Sequence, residues 1–177
     1  MSLTGRPFAG RVYRAHNPRW SFAPASGAGA AKHGGRFNRP GLPALYTSSS
    51  YELAITEAHQ GLPFKLQPLT IVSYAVDHDN VLDLSSASAC AAAGIAFEDL
   101  ACAWELIAFD GGTPPSWTLS GRLIEHGIGG IIVPSFARGA DAHSVNIVFW
   151  DWDANPQRQV AVNDAESRLP KDDASWT

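Results

Sequence analysis

Leu69-Thr70-Ile71-Val72-Ser73-Tyr74-Ala75-Val76 is the stretch on which the fold turns. It is rich in β-branched and aromatic residues, which suit a pleated, half-buried surface, and it reads as the clearest strand of the chain. Toward the N-terminus, Ser49-Ser50-Tyr51-Glu52 has capping-box spacing and predicts a helix over residues 50–59. Its buried side takes Leu53, Ala54, Ala58 and Leu62, with Glu52, Thr56 and His59 facing away and Glu57 on the edge. Before it, Ala44-Leu45-Tyr46-Thr47 reads as a brief buried strand and Arg11-Val12-Tyr13-Arg14 as another. Between these, residues 15–43 carry Pro18, Pro24, Pro40 and Pro43 among several glycines, which excludes a helix of any length. A long irregular loop inside a small domain is more often functional than not.

Toward the C-terminus, Val81-Leu82-Asp83-Leu84 predicts a second short strand. Residues 88–109 are Ala-rich and predict one or two helices, and Ser116 is placed as the cap of a helix ending at His126-Gly127. Residues 131–133 and 145–150 read as core strands, and beyond Asn155 the chain turns polar and aperiodic. Strands and helices mix without the regular alternation of a doubly wound sheet. The expected class is α+β: a compact single domain with a small, mostly antiparallel sheet core, followed by a polar tail at residues 155–177.

Composition narrows the function. A net charge of −4 on 177 residues offers no clustered cationic surface for phosphate backbones, so direct nucleic-acid binding is not expected. The arginines concentrate instead near the N-terminal end (Arg6, Arg11, Arg14, Arg19, Arg36, Arg39), a distribution suited to a small anion. Two cysteines, Cys90 and Cys102, form no Cys-x-x-Cys pair, and a secreted scaffold would use more. The first residues lack the apolar core of a signal peptide, and no run approaches the roughly 20 apolar residues that span a bilayer. A cytoplasmic address and no membrane partner are expected. The six histidines are scattered singly, so no metal site is expected, and neither a Gly-x-Ser-x-Gly elbow nor a phosphate-binding glycine loop is present.

Four features remain: Arg14 ending a strand, the segment Gly34-Gly35-Arg36-Phe37-Asn38, Tyr46 ending the next strand, and Glu57 on the helix after it. Each alone has an ordinary structural explanation. Their joint order, followed by Val133-Pro134-Ser135 and Asn146-Ile147-Val148-Phe149, resembles the RES family, named for an arginine, a glutamate and a serine. The likeness covers roughly Arg11 to Trp152, with Phe37 where the family commonly has tryptophan. It implies an ADP-ribosyltransferase-like fold over residues 1–154 and a toxin-type enzyme that cleaves the nicotinamide–ribose bond of NAD. The acceptor would be inorganic phosphate, water or a protein target. It also implies an Xre-type antitoxin as partner.

What the resemblance implies for individual residues can be set against the chemistry. An oxocarbenium-like ribose needs a nearby carboxylate, a role that falls to Glu57, with Arg14 and Ser135 completing the catalytic set. Pyrophosphate needs fork-shaped donors, which Arg14 and Arg36 supply. Tyr46, with Phe37, would stack on nicotinamide, and Gly34 and Gly35 would let the ligand approach the backbone. Asn38 and Asn146 complete the binding set. Ser144 rivals Ser135, since both lie near the Asn146 strand. The alternative reading is a non-catalytic nucleotide- or partner-binding module of the same fold.

Overall fold

The structure, a computed structural model, describes residues 3–59, 67–141 and 143–176. Residues 70–76 lie in a strand longer than expected. It runs unbroken as β3 (Thr70–Asp83) and absorbs most of the second strand placed at residues 81–84. That length lets it pair antiparallel with β1 (Arg6–His16) on one side, with Arg14 opposite Val72. It also pairs in parallel with β4 (Gly130–Pro134) at residues 81–83. From β4 the sheet continues antiparallel through β5 (Val145–Phe149) to β2 (Leu45–Ser48). β2 then returns to β1 through the register pair Tyr13↔Ser48. Five strands thus close into a barrel-like ring. Only the β3–β4 pairing is parallel, so the sheet is mostly antiparallel, and the α+β class holds.

Residues 155–177 depart from the expected polar tail. Arg158–Val162 forms β6, antiparallel to residues 74–78 of β3, and Val160 is buried in the core. Arg158 holds it down by bonding Asp79 and Asp151, both at 2.9 Å. Alternation over five residues is too short to separate such a strand from polar coil.

The helices are short. α1 (Ala28–His33) and a 3-10 turn over Pro18–Trp20 interrupt the segment expected to exclude helix; α1 fits between Pro24 and Pro40, and the turn starts on Pro18, where a first position tolerates proline. α2 (Tyr51–His59) follows β2 directly, and the Ser50 hydroxyl accepts the Leu53 N–H at 3.1 Å, so Ser50 rather than Ser49 caps it. Leu53 and Ala54 are buried as expected and Glu57 is half-buried, but Ala58 is exposed and His59 buried. The wheel assumed one apolar stripe, whereas α2 packs on β1, β2 and β3 together. Leu62 lies outside the described residues. The Ala-rich region makes three helices, α3 (Ala87–Ala92), α4 (Phe97–Ala101) and α5 (Trp104–Phe109). α6 (Pro115–Glu125) begins at a proline, which suits a first helical position, so Ser116 is a buried first-turn residue rather than its cap.

Alternation along β5 feeds two cores. Ile147 and Phe149 point into the barrel with Val12, Leu45 and Tyr74. Val148 and Trp150 point outward against Leu100, Leu119 and Leu123 of the helical layer. Leu45, Ile147 and Phe149 are at most 2% exposed, and each such burial stabilises by about 1.5–3 kcal/mol. Among the described residues, no helix is long and apolar enough to cross a membrane.

Candidate active site

Where β1 and β2 meet through a single register pair, the ring opens into a cleft of about 240 Å³. β1 contributes Tyr13, Arg14 and Ala15, β2 contributes Tyr46 and Ser48, α2 contributes Glu57, and β5 contributes Asn146. Glu57 is the most constrained of these. Its Oε1 accepts the Ser135 hydroxyl at 2.6 Å and the Asn146 Nδ2–H in a short bond. The Ser135 oxygen in turn accepts the Ala137 N–H at 3.1 Å. Asn146 is fixed from its other end, because the Ser48 hydroxyl donates to its Oδ1 at 2.8 Å. Both donors to the carboxylate are neutral, so its charge is oriented without being cancelled.

The two arginines differ in placement. Arg14 lines the cleft, and its Nη1 donates to the Pro24 and Ser26 carbonyls at 3.1 and 3.0 Å. Those bonds aim the guanidinium without neutralising it. Among the described residues, no carboxylate forms an ion pair with Arg14 or Arg36. Arg36 is not among the lining residues. Its Nη1 donates to the Leu100 and Cys102 carbonyls at 3.2 and 2.6 Å, and its guanidinium lies 4.5 Å from the centre of the Phe136 ring. Burial pulls Arg36 below its ordinary value, while the fields of Cys102 and then Glu57 work against that shift. It therefore stands within electrostatic reach of Glu57, half-buried and tied by Nη1 to the end of α4. Two residues past Arg14, burial and then the Arg14 charge bring His16 down to about 4. His16 is neutral at pH 7, which leaves Arg14 as the cation of that wall.

Phe37 and Asn38 do not face the cleft. They are 3% and 0% exposed, which leaves no surface for the ligand contacts expected of them. Phe37 packs in the outer core. The Asn38 amide donates to the Ala30 and Leu42 carbonyls at 2.8 and 2.9 Å, and its Oδ1 accepts the Tyr46 hydroxyl at 2.7 Å. Tyr46 accepts the Phe37 N–H at 2.9 Å, and burial pushes its phenol well above the usual range. Its hydroxyl is committed to the loop while its ring lines the cleft. Gly35 is needed here for a different contact from the one expected: a Cβ would lie 2.5 Å from the Tyr46 Oη. The close approach is by Tyr46, not by a ligand. Gly34, at φ +74°, makes the turn that starts the segment.

The two candidate serines separate. Ser135 meets Glu57, whereas the Ser144 side chain bonds Asp141 and its carbonyl accepts the Ser135 N–H. Ser48 and Tyr13 were not picked out as site residues from sequence. Ser48 had one local signal, lying two residues past Tyr46 and so on the same strand face. Its pairing with Asn146, 98 residues away, has none. Among the described residues, no group of three or more His, Cys, Asp or Glu gathers to hold a metal.

The RES domain family model matches residues 11–172, a span that takes in β6. Among solved structures, the chain is similar to one in the M. tuberculosis MbcT–MbcA toxin–antitoxin complex. That likeness has a TM-score of 0.63 at 21% identity, covering 92% of this chain and 85% of the other. No curated protein matches.

Proposed function

The chain belongs to the RES domain family, and from that premise we propose that it cleaves the nicotinamide–ribose bond of NAD in the cleft of Arg14, Tyr46, Glu57 and Asn146. One observation carries the reading. A carboxylate oriented by Ser135 and Asn146 shares a cleft with a guanidinium that has no acidic partner among the described residues. That pairing suits a substrate with a developing cation at one point and a pyrophosphate at another.

As the C1′–N bond breaks, its electron pair leaves with neutral nicotinamide and positive charge builds on the ribose. Glu57 stabilises that charge and can grip a ribose hydroxyl through Oε2, since both assigned donors engage Oε1. Such preorganised charge is worth more in a cleft than in water, because no reorientation is needed during the reaction. Arg14 neutralises phosphate oxygens, and the Tyr46 ring, pinned by its hydroxyl, offers a flat face to nicotinamide. Arg36 adds its charge to the same field. No general acid is required, because the leaving group departs uncharged.

The incoming oxygen belongs to phosphate, water or a protein side chain; it bonds C1′ as the C1′–N bond breaks, and any proton it carries is released to solvent. By likeness to the M. tuberculosis complex and to the RES family, we read the protein as an ADP-ribosyltransferase-like toxin. Its expected partner is an Xre-type antitoxin that obstructs the cleft, and its expected address is the cytoplasm. The test is to incubate purified protein with NAD, with and without phosphate, and follow nicotinamide and the ADP-ribose product. Release that depends on phosphate identifies phosphorolysis, and release that needs an added protein identifies transfer. If neither phosphate, water nor cell protein supports nicotinamide release, the reading is wrong.

A further inference from the structure

Ser48 has no part in the proposed reaction beyond its bond to Asn146, yet its surroundings are unusual for a strand serine. It is 4% exposed, so its hydroxyl has little access to water. Its Oγ–H is spent on Asn146 Oδ1, and Asn146 spends Nδ2–H on Glu57 Oε1. The backbone makes this possible, because Ser48 and Asn146 are register partners across β2 and β5, and Ser48 is also the register partner of Tyr13 on β1. We propose that Ser48 is a positioning residue for Glu57, acting through Asn146. This rests on the NAD-cleaving reading only for its effect on turnover.

Rotation of the Asn146 amide is what Ser48 controls. An asparagine held only at its nitrogen can swing about its last side-chain torsion, which is broad and two-fold. The Ser48 donor pins the oxygen end, so the nitrogen end stays aimed at Oε1. Without it, Oδ1 is left in a poorly solvated pocket, and the Asn146–Glu57 bond competes with rotations that recover a donor. Ser135 then holds the carboxylate alone, and Glu57 can pivot about one anchor. The consequence should fall on the reacting geometry, because Glu57 charge and the Arg14 phosphate contact both remain.

Three variants test this: S48A, S48T and S48A combined with N146A. Removing one hydrogen bond that acts in the transition state predicts a kcat for nicotinamide release lowered by about tenfold in S48A, with KM for NAD within about twofold. S48T keeps the hydroxyl and should restore most of the rate. In the N146A background, adding S48A should cost nothing further, since the intermediary is gone. A ligand-free readout accompanies these: the Asn146 side-chain amide protons, followed by nitrogen-correlated NMR, should shift and exchange faster with solvent in S48A but not in S48T. Equal losses in S48A and S48T, additivity with N146A, or an unmoved Asn146 amide would each overturn the proposal. Should wild-type protein release no nicotinamide at all, the NAD reading fails, while the amide signal still decides the role of Ser48.

Discussion

Two regions carry the residues that a sequence reader would assign to ligand binding, and they are built in opposite ways. Around Glu57, polar side chains from β5 and the turn after β4 converge on one α2 carboxylate that lines a cleft. Around Arg36, the polar and aromatic groups of residues 34–38 turn inward: Phe37 enters the core, Asn38 ties the loop to Ala30 and Leu42, and Gly35 makes room for the Tyr46 hydroxyl. The first region presents chemistry, and the second holds it in place. A motif can thus lie beside a candidate cleft while most of its own side chains are buried in the loop that carries it.

Substitutions can break that contrast. Phe37→Ala should give the largest effect, a loss of about 3–5 kcal/mol of stability, read as a lowered denaturant midpoint. Activity per folded molecule should change little; a large loss of turnover in fully folded protein would place Phe37 at the ligand instead. Glu57→Gln should show the reverse pattern. Turnover should fall on the order of 10²–10³-fold while the denaturation midpoint stays close to wild type. Arg14→Lys keeps the charge but loses the fork, and a roughly tenfold rise in KM for NAD is expected. Arg36→Ala should weaken NAD binding less than Arg14→Ala does, because Arg14 lines the cleft whereas Arg36 Nη1 is engaged by the Leu100 and Cys102 carbonyls; titration calorimetry with NAD compares them.

The smallest effect sharpens the cleft wall rather than the chemistry. Burial and then the Arg14 charge hold His16 at about 4 in the fold, below the ordinary histidine value of 6.5. The unfolded chain therefore binds the extra proton first as pH falls. The stability His16 contributes is fully present above about pH 6.5 and is lost progressively toward pH 4. A His16→Gln variant should show a flatter dependence of its urea midpoint between pH 7 and pH 4.5 than wild type. Parallel curves would mean that His16 titrates normally in the fold.

Much of the frame was legible because local signals sufficed. The β-branched run at residues 69–76, the capping-box spacing at residues 49–52 and the apolar alternation of residues 145–150 each name their own element, although the cap itself sits one residue later, at Ser50. Their edges were less legible. β3 runs on to Asp83 because it has partners along its length, a tertiary fact invisible in a strand whose middle, Asp77-His78-Asp79-Asn80, is polar. β6 is too short to declare itself. For the site, Glu57 could be placed at a helix edge by period alone, and family likeness supplied Arg14, Ser135 and Asn146. Burial of Phe37 and Asn38 could not be read, since an aromatic and an amide beside paired glycines suit a ligand cradle and a buried loop equally well. Ser48 depended on a cross-strand register that no spacing encodes.

The most direct measurement is a crystal structure of the Glu57→Gln protein soaked with NAD. The nicotinamide ribose should lie against residue 57, with a phosphate on Arg14 and no contact from Phe37 or Asn38. A dinucleotide seated away from residue 57, or gripped by the Asn38 side chain, would contradict this arrangement.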